Sequence, residues 1–304
     1  MPATKAFYSA FQPGPLGQRL CLWHASPAQA PRALVVHVHA FAEEMNKSRR
    51  MAALQARALA AAGCGVLQFD LLGCGDSAGE FSDATWHAWA GDVVAAVALA
   101  RQRQADTWPG AAAVPLWLWG QRAGALLAAE AAQHLPGPTN LLLWQPTPNG
   151  KTVLQQFLRL ESAGALLGKG PDKGSARAAL ARGEVAAVAG YGLAPALTLG
   201  LEAARLQAPA PPAEPARLEW LDVAATAGQA PTPAAEAVLK AWADAGWQTR
   251  HQTVAGPSFW QTTEIEEAPA LITATLAALM SPPAAAIAAA PAGVAEAAPQ
   301  QAAA

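Results

Sequence analysis

A glycine-flanked segment near the middle of the chain has the spacing of a turn that presents a reactive side chain. Residues 119–124 are Trp-Gly-Gln-Arg-Ala-Gly, so Gly120 and Gly124 stand two positions on either side of Arg122. Glycines at these positions let a strand turn sharply into a helix and expose the central side chain, as a nucleophile requires. A guanidinium stays protonated and offers no nucleophilic lone pair, so Arg122 cannot attack a substrate.

Two further segments, each directly after a predicted strand, could complete such a site. Residues 37–41 are His-Val-His-Ala-Phe and would lie where a loop stabilises a developing oxyanion. We expect the backbone amides of Ala40 and Gln121 to shape that pocket. Residues 70–77 are Asp-Leu-Leu-Gly-Cys-Gly-Asp-Ser, in which the glycines let the chain leave the sheet in a tight turn.

A hydrolase built around such a turn also needs a histidine base and an orienting acid. The last predicted strand is followed by Phe259 and Trp260, neither of which can accept a proton. The strand before it leads into residues 224–227, Ala-Ala-Thr-Ala, and the alternative acid position after Trp144 falls in residues 145–149, Gln-Pro-Thr-Pro-Asn. The sequence therefore predicts that all three positions of a Ser-His-Asp triad are empty and that the usual mechanism is lost.

Arg122 itself has two interpretations. At the start of a helix, a cation is disfavoured by roughly 0.3–1 kcal/mol, which a nearby negative charge would offset. The charge could belong to Glu43, Glu44 or Asp76, in an internal ion pair that plugs the site. It could instead belong to a bound carboxylate, phosphate or acidic sugar, which would make this an anion-binding site.

Other polar side chains near the turn also have a chemical and a structural interpretation. His39 could orient a ligand or act as a base, or it could be hydrogen-bonded at a strand end, while His37 alternates with valines and is predicted to be structural. Cys74 and Ser77 are weaker candidates for a substitute nucleophile, because a turn of this kind ordinarily supports the neighbouring one. Ser258 is weaker still.

The chain has eleven tryptophans, most of which we assign to the core. Trp144 and Trp260 end strands near the predicted site and could form a wall on which a sugar or lipid stacks. The residues predicted to bind a ligand are His39, Ala40, Phe41, Glu43, Glu44, Gln121, Arg122, Trp144 and Trp260.

These residues are positioned by an alternation of strands and helices. Strands are predicted at 6–12, 18–24, 33–39, 65–70, 115–119, 140–144, 217–223 and 248–254, and helices at 46–62, after Thr85, and at 122–134, 232–245 and 268–279. Such an alternation predicts an α/β fold with a mostly parallel sheet covered on both faces.

The alternation is interrupted once. Residues 150–206 have an irregular helical pattern and would lie over the carboxyl edge of the sheet as a small helical lid. A Pro-rich linker at 207–216 follows. The main domain is predicted to span 1–280, and the Ala- and Pro-rich segment 281–304 is predicted to be a disordered tail.

Composition limits the function further. Hydrophobic residues make up 53% and charged residues 14% of the 304 residues, which predicts a large core. A net charge of −2 argues against binding nucleic acid.

Three cysteines at no metal-ligand spacing predict reduced thiols in the cytoplasm and no metal site. No apolar run approaches the ~20 residues of a membrane span. No nucleotide-binding glycine motif is present, so no cofactor is expected.

Three segments together resemble the α/β-hydrolase superfamily, and within it the type 2 hydrolases associated with exosortase A systems. They are 39–50 (His-Ala-Phe-Ala-Glu-Glu-Met-Asn-Lys-Ser-Arg-Arg), 68–79 (Gln-Phe-Asp-Leu-Leu-Gly-Cys-Gly-Asp-Ser-Ala-Gly) and 256–266 (Gly-Pro-Ser-Phe-Trp-Gln-Thr-Thr-Glu-Ile-Glu). The resemblance covers roughly residues 5–280. It implies an eight-stranded sheet with a helical cap and a hydrolase acting on ester-like bonds. It also implies a bacterial setting of exopolysaccharide production and sorting of proteins with a short C-terminal anchor.

Two functions stay open at this point. The first is an enzyme, or former enzyme, that hydrolyses ester-like bonds of a small-molecule, saccharide or acyl ligand. The second is a non-catalytic binding or scaffold protein with a protein partner in polysaccharide assembly, in which Arg122 binds an anion or locks the pocket.

Overall fold

Ten strands lie in the part of the chain that the computed structural model describes, which is residues 4–28, 30–166, 176–209 and 216–281, with the backbone alone for 161–166. They are β1 (Thr4–Ala10), β2 (Gln18–His24), β3 (Ala33–Val38), β4 (Cys64–Phe69), β5 (Leu116–Gln121), β6 (Thr139–Trp144), β7 (Ala186–Val188), β8 (Tyr191–Leu193), β9 (Arg217–Ala224) and β10 (Gln248–Ala255). Eight form one sheet in the order β1-β2-β4-β3-β5-β6-β9-β10, and β7 and β8 form a separate hairpin.

The large sheet is mostly parallel, as predicted. Only the β1–β2 and β2–β4 pairs are antiparallel, and every other neighbouring pair is parallel. β3 lies in the interior of the sheet and all six of its residues are buried, which is why its sequence is a continuous run and not an alternation of apolar and polar residues. The carboxyl ends of β3, β4, β5 and β6 therefore meet at one edge.

Helices cover both faces of this sheet. They are α1 (Glu43–Ala61), α2 (Trp86–Thr107), α3 (Gly124–Ala132), α4 (Gly150–Leu166), α5 (Ala176–Ala181), α6 (Pro195–Ala203), α7 (Pro233–Asp244) and α8 (Pro269–Met280). On one face, Met51 of α1 and Leu271 of α8 pack with Val35 and Leu142 of the sheet. On the other, helices α2, α3 and α7 form a second apolar cluster with the opposite side chains of the same strands.

The predicted strands and helices of the main domain are confirmed, with ends shifted by a few residues. The Thr85 hydroxyl caps α2 by accepting a hydrogen bond from the Ala88 amide at 3.0 Å. Two helix starts were wrong. α3 begins at Gly124 and not at 122, because Arg122 has a positive φ that a right-handed helix does not accommodate. α1 begins at Glu43, three residues before the predicted start at 46.

The segment between β6 and β9 contains more than the predicted helices. It holds α4, α5 and α6, and between α5 and α6 lies the β7–β8 hairpin. The ring of Tyr191 on this hairpin contacts Phe81 at 5.0 Å and Phe157 of α4 at 5.9 Å between ring centroids. The tail beyond 281 and residues 210–215 of the predicted linker lie outside the described residues. Within the described residues, no helix is both long enough and apolar enough to span a bilayer.

Candidate functional site

The strand-to-helix turn predicted around Arg122 is formed. Arg122 has φ +54°, the left-handed conformation of the central residue in a nucleophile elbow. The two glycines are required by contact: a Cβ on Gly124 would lie 2.3 Å from the Val38 carbonyl oxygen, and one on Gly120 would lie 2.6 Å from the Cα of Ala125. The backbone of the elbow is therefore complete, and its central side chain is a guanidinium.

Arg122 is held by Glu44. Its Nε lies 3.2 Å from both carboxylate oxygens of Glu44, and its Nη2 donates to Oε1 at 3.1 Å. Nη1 donates to the Gln145 carbonyl at 3.3 Å, and the guanidinium lies 5.3 Å from the centre of the Trp260 ring. The Arg122 side chain is only 11% exposed. Of the two predicted arrangements, the structure contains the internal ion pair.

The early start of α1 explains why Glu44 is the partner. Ala42 precedes the helix with φ +50°, and this turn places Glu43 and Glu44 in the first helical turn. Carboxylates are favoured there by the helix dipole. The other two candidate partners lie apart from Arg122: Glu43 Oε2 is buried without a hydrogen-bond partner, and Asp76 is in the turn after β4, where its amide donates to Asp70.

Aromatic residues follow β10, where a catalytic histidine was sought in the sequence. Phe259 and Trp260, which follow β10, are buried and contact each other at 5.1 Å between ring centroids. At the alternative acid position, Gln145 has φ +43° and its side-chain oxygen accepts a hydrogen bond from the Val223 amide at 2.7 Å. Asp222 accepts hydrogen bonds from His251 and Trp220, both within the β9–β10 pair, so its carboxylate is already engaged.

Both ring nitrogens of His39 are committed to the backbone. Nδ1 donates to the Ala40 carbonyl at 2.7 Å, and Nε2 accepts from the Leu71 amide at 3.2 Å. Burial lowers the pKa of His39, so the ring is neutral at pH 7. His39 has no free nitrogen with which to take a proton from a nucleophile, which agrees with the structural interpretation of this residue.

The two weaker nucleophile candidates, Cys74 and Ser77, are also poorly suited to attack a substrate. Burial raises the pKa of the Cys74 thiol well above its ordinary value, and Asp70 and Asp92 add to that effect, so the reactive thiolate is scarce at neutral pH. The Ser77 hydroxyl donates to the Asp70 carbonyl at 2.5 Å and accepts from the Leu20 amide at 3.1 Å. Ser77 thus supports the turn, and Ser258 is exposed at the surface.

A cavity of about 370 Å³ lies beside the elbow, between the start of α1 and helix α4. Its walls are Phe41, Glu43, Glu44, Lys47, Val153, Gln156, Phe157, Leu160, Trp260 and Gln261. Four predicted ligand-binding residues are brought together here: Phe41, Glu43, Glu44 and Trp260. Arg122 lies behind Glu44 and does not line the cavity.

The remaining predicted residues lie elsewhere. Trp144 is 1% exposed and its indole nitrogen donates to Thr275 of α8 at 2.8 Å, so it belongs to the core. The side chains of His39 and Gln121 line a different cavity. Neither the Ala40 nor the Ala123 amide donates a hydrogen bond in the loops and turns of the described chain. In a nucleophile elbow the second oxyanion donor is the amide of the residue after the centre, which here is Ala123, whereas the sequence-based prediction was Gln121; the role of either amide stays a prediction.

Several cavity residues were not found from the sequence. The signal was present in α4, where Val153, Phe157 and Leu160 recur at the i, i+4, i+7 spacing of one helix face. Lys47 and Gln261 had no such signal, because the Lys47 ammonium reaches the Gln261 carbonyl, at 3.2 Å, only in the folded chain.

Comparison with known proteins agrees with this architecture. The family model for serine aminopeptidase, S33, matches residues 29–168, just under half of the chain. The fold of this chain is therefore an α/β-hydrolase fold. An α/β serine hydrolase without lid from Xanthomonas campestris is 17% identical, with 92% of this chain and 97% of that chain covered and a TM-score of 0.52. No curated protein sequence matches the chain.

Two further solved structures have a similar fold. A thermostable carboxyl esterase from Bacillus coagulans is 15% identical, with coverage of 84% of this chain and 91% of that chain and a TM-score of 0.53. Est1E from Butyrivibrio proteoclasticus, solved with ferulic acid, is 16% identical, with coverage of 86% and 94% and a TM-score of 0.53. At these identities the likeness is one of fold.

Proposed function

We propose that this chain is a non-catalytic binding protein with an α/β-hydrolase fold. The observation that carries the proposal is Arg122 at the centre of the elbow, ion-paired with Glu44. A protonated guanidinium cannot form a covalent intermediate, and the side chains that could replace it are committed to structural hydrogen bonds or held as a neutral thiol. The triad is degenerate at each of its three positions in this proposal.

The cavity between α1 and α4 is the ligand site of this proposal, with α4 acting as part of a lid. Its apolar wall consists of Phe41, Val153, Phe157, Leu160 and Trp260. Such a wall suits an acyl chain or the apolar face of a sugar. The Arg122–Glu44 pair closes the inner end, so a ligand with an acidic group would bind Arg122 only by displacing Glu44.

The experiment is an activity screen of the purified full chain with short-chain p-nitrophenyl esters and a fluorophosphonate probe. We expect no release of p-nitrophenol above the buffer rate and no covalent labelling. An Arg122→Ser variant should remain silent as well, because Phe259 and Trp260 stand where a base is needed. Turnover by the parent protein that disappears in Cys74→Ala would overturn the proposal.

The second candidate is a hydrolase of ester-like bonds. It is favoured by the preserved elbow, which keeps its positive φ at Arg122 and its two close-packed glycines, and by the Ala40 and Ala123 amides. The name of the carboxyl esterase of similar fold points in the same direction. The ester screen separates the two candidates, since only this one predicts saturable turnover.

The setting in exopolysaccharide production, with a protein partner of that pathway, stays a proposal that rests on the sequence resemblance. The three resembling segments meet in space, so they belong to one region of the fold. Lys47 of the first bonds Gln261 of the third, and Arg49 of the first pairs with Asp70 of the second at 3.0 Å. We also propose a cytoplasmic location, because Cys21, Cys64 and Cys74 are free thiols. Deletion of the gene should lower exported polysaccharide, measured as carbohydrate in the culture medium, and unchanged export would remove the setting.

A further inference from the structure

A second cavity, of about 190 Å³, lies between helix α1 and the face of the sheet that α1 covers. Side chains of β2, β3, β4 and β5 form its floor and α1 forms its roof. It shares no lining residue with the cavity under α4, because α1 lies between the two. Residues Met45, Ser48, Arg49, Ala52 and Ala53 of α1 face this inner cavity, whereas Glu43, Glu44 and Lys47 face the other.

The inner cavity is lined by buried polar atoms that form no hydrogen bond of ordinary geometry. They are both amide atoms of Gln121, the hydroxyl of Ser48 and Nε2 of His37. The Gln121 amide does interact weakly with the His37 ring, which opposes the lowering of the His37 pKa by burial. The three residues are 1%, 2% and 4% exposed. Folded proteins pair nearly all of their buried polar atoms with protein groups or ordered water, so these atoms are available to bond a guest in the cavity.

The charges around this cavity identify the guest as a neutral molecule. The only carboxylate and guanidinium among its lining residues, Asp70 and Arg49, pair with each other at 3.0 Å. Burial lowers the pKa of His37 to about 3, and the neighbouring His39 adds to this, so the His37 ring is neutral at pH 7. No uncompensated charge is left in the lining to hold an ion.

The unpaired groups select for hydroxyls. An amide and a serine hydroxyl each offer both a donor and an acceptor, and Nε2 of the neutral His37 ring offers one or the other, so a hydroxyl group on the guest can satisfy any of them. The other polar side chains of the wall already have partners, namely His39, Arg49, Gln68 and Asp70. The remaining residues are apolar and would contact C–H groups: Leu20, Leu22, Met45, Ala52, Ala53 and Phe69. Since an apolar cavity of about 150 Å³ accommodates benzene, this one has room for roughly six to eight non-hydrogen atoms.

We infer that the cavity between α1 and the sheet binds a small neutral polyol, held by the side chains of Gln121, Ser48 and His37. The guest can enter beside Arg49, whose side chain is 44% exposed at the rim. Leu20, Leu22 and Ala53 at the same rim are half-buried. This site is independent of the proposed function, which concerns the cavity on the other side of α1.

The test is a titration of the full chain with erythritol, followed by saturation-transfer NMR, with 1-butanol as the comparison molecule. We expect saturable erythritol binding in the millimolar range and weaker binding of 1-butanol. Gln121→Met, which keeps the side-chain volume, should weaken erythritol binding about fivefold, as expected for the loss of a net hydrogen bond. Ser48→Ala should weaken it by a similar factor.

Gln55→Met is the matched control. Gln55 is also in α1, is 0% exposed and has both amide atoms unpaired, but it does not line the cavity. Its substitution should leave erythritol affinity unchanged. Circular dichroism establishes that each variant folds, and Ser48→Ala decides the outcome if Gln121→Met does not fold. Absence of saturable binding, equal affinity in the lining variants and the parent, or a crystal soaked in erythritol whose cavity holds only water would overturn the inference.

Discussion

Arg122 occupies a position that is unfavourable for an arginine in two ways. A residue with a Cβ in the left-handed conformation costs roughly 1–2 kcal/mol, and a cation at the start of α3 opposes the helix dipole. The carboxylate of Glu44, in the first turn of α1, compensates both the charge and the hydrogen-bonding needs of the guanidinium. The pair thus joins two helix starts at the edge of the sheet, where an enzyme of this fold would keep an open site.

The first prediction concerns this pair. Glu44→Gln should lower the free energy of unfolding by about 1–3 kcal/mol, because it leaves a largely buried guanidinium without its charged acceptor. Urea unfolding at pH 7 measures the change.

The neighbouring Glu43 provides the control for that measurement. Burial raises the pKa of Glu43, and its Oε2 atom has no partner, so Glu43→Gln removes a charge that interacts with the helix dipole but forms no ion pair within the described residues. We expect at most a small change in the free energy of unfolding. A loss as large as that of Glu44→Gln would mean that the negative charge at the start of α1 matters and the Arg122 contact does not.

At the residue scale, the sequence predicted the kind of partner for Arg122 but not its identity. Glu43, Glu44 and Asp76 were equivalent candidates in the sequence. The carboxylate that pairs with Arg122 is selected by the turn at Ala42, and an alanine in the sequence does not indicate a positive φ. The core position of Trp144 likewise depends on Thr275, more than a hundred residues away in the chain. Contacts of this kind are set by the tertiary structure alone.

Among the elements, the turn from β5 into α3 is constrained most tightly. Gly124 lies against the backbone of β3, so a methyl group there would contact a carbonyl that cannot move without disturbing the central strand. Gly124→Ala should lower the free energy of unfolding by about 3 kcal/mol, the upper part of the range for overpacking. Thermal or urea unfolding would measure the loss.

Gly91 is the matched control for this substitution. It lies on the exposed side of α2, and a Cβ there would meet nothing within 4 Å. Because alanine is favoured over glycine inside a helix, Gly91→Ala should stabilise the protein by about 0.5–1 kcal/mol. If Gly124→Ala were equally well tolerated, the close approach of the elbow to β3 would not hold in solution.

The elements differ in how far local sequence determines them. β3 and α2 were predicted because a buried β-branched run and a capped amphipathic pattern are local signals. The β7–β8 hairpin was missed, since its strands have three residues each and gain their order from the contacts of Tyr191 with Phe81 and Phe157. Short elements held by distant aromatic rings leave little trace in a single sequence.

Across the whole molecule, the interior contains three histidines that are kept neutral. Burial lowers the pKa of His24, His37 and His39, whereas in the unfolded chain each would titrate near 6.5. As the pH falls below that value, these histidines bind protons in the unfolded state but stay unprotonated in the folded state. Their contribution to stability is therefore complete above pH 6.5 and declines on acidification towards their folded pKa values, about 3 for His37.

The third prediction follows from this difference in proton uptake. Between pH 7 and pH 5, a histidine held neutral by burial should reduce the free energy of unfolding by about 2 kcal/mol. Over the same interval, the free energy of unfolding of His37→Gln should fall by about that much less than the free energy of the parent. His87→Gln is the control, because His87 is exposed. Burial raises the pKa values of the half-buried Glu43 and of the buried Asp92 and Glu219, and these carboxyls act with the opposite sign. The effect of these carboxyls cancels when the change in the free energy of unfolding of the variant is subtracted from that of the parent. If His37→Gln and the parent lost the same free energy of unfolding, His37 would not be neutral and buried.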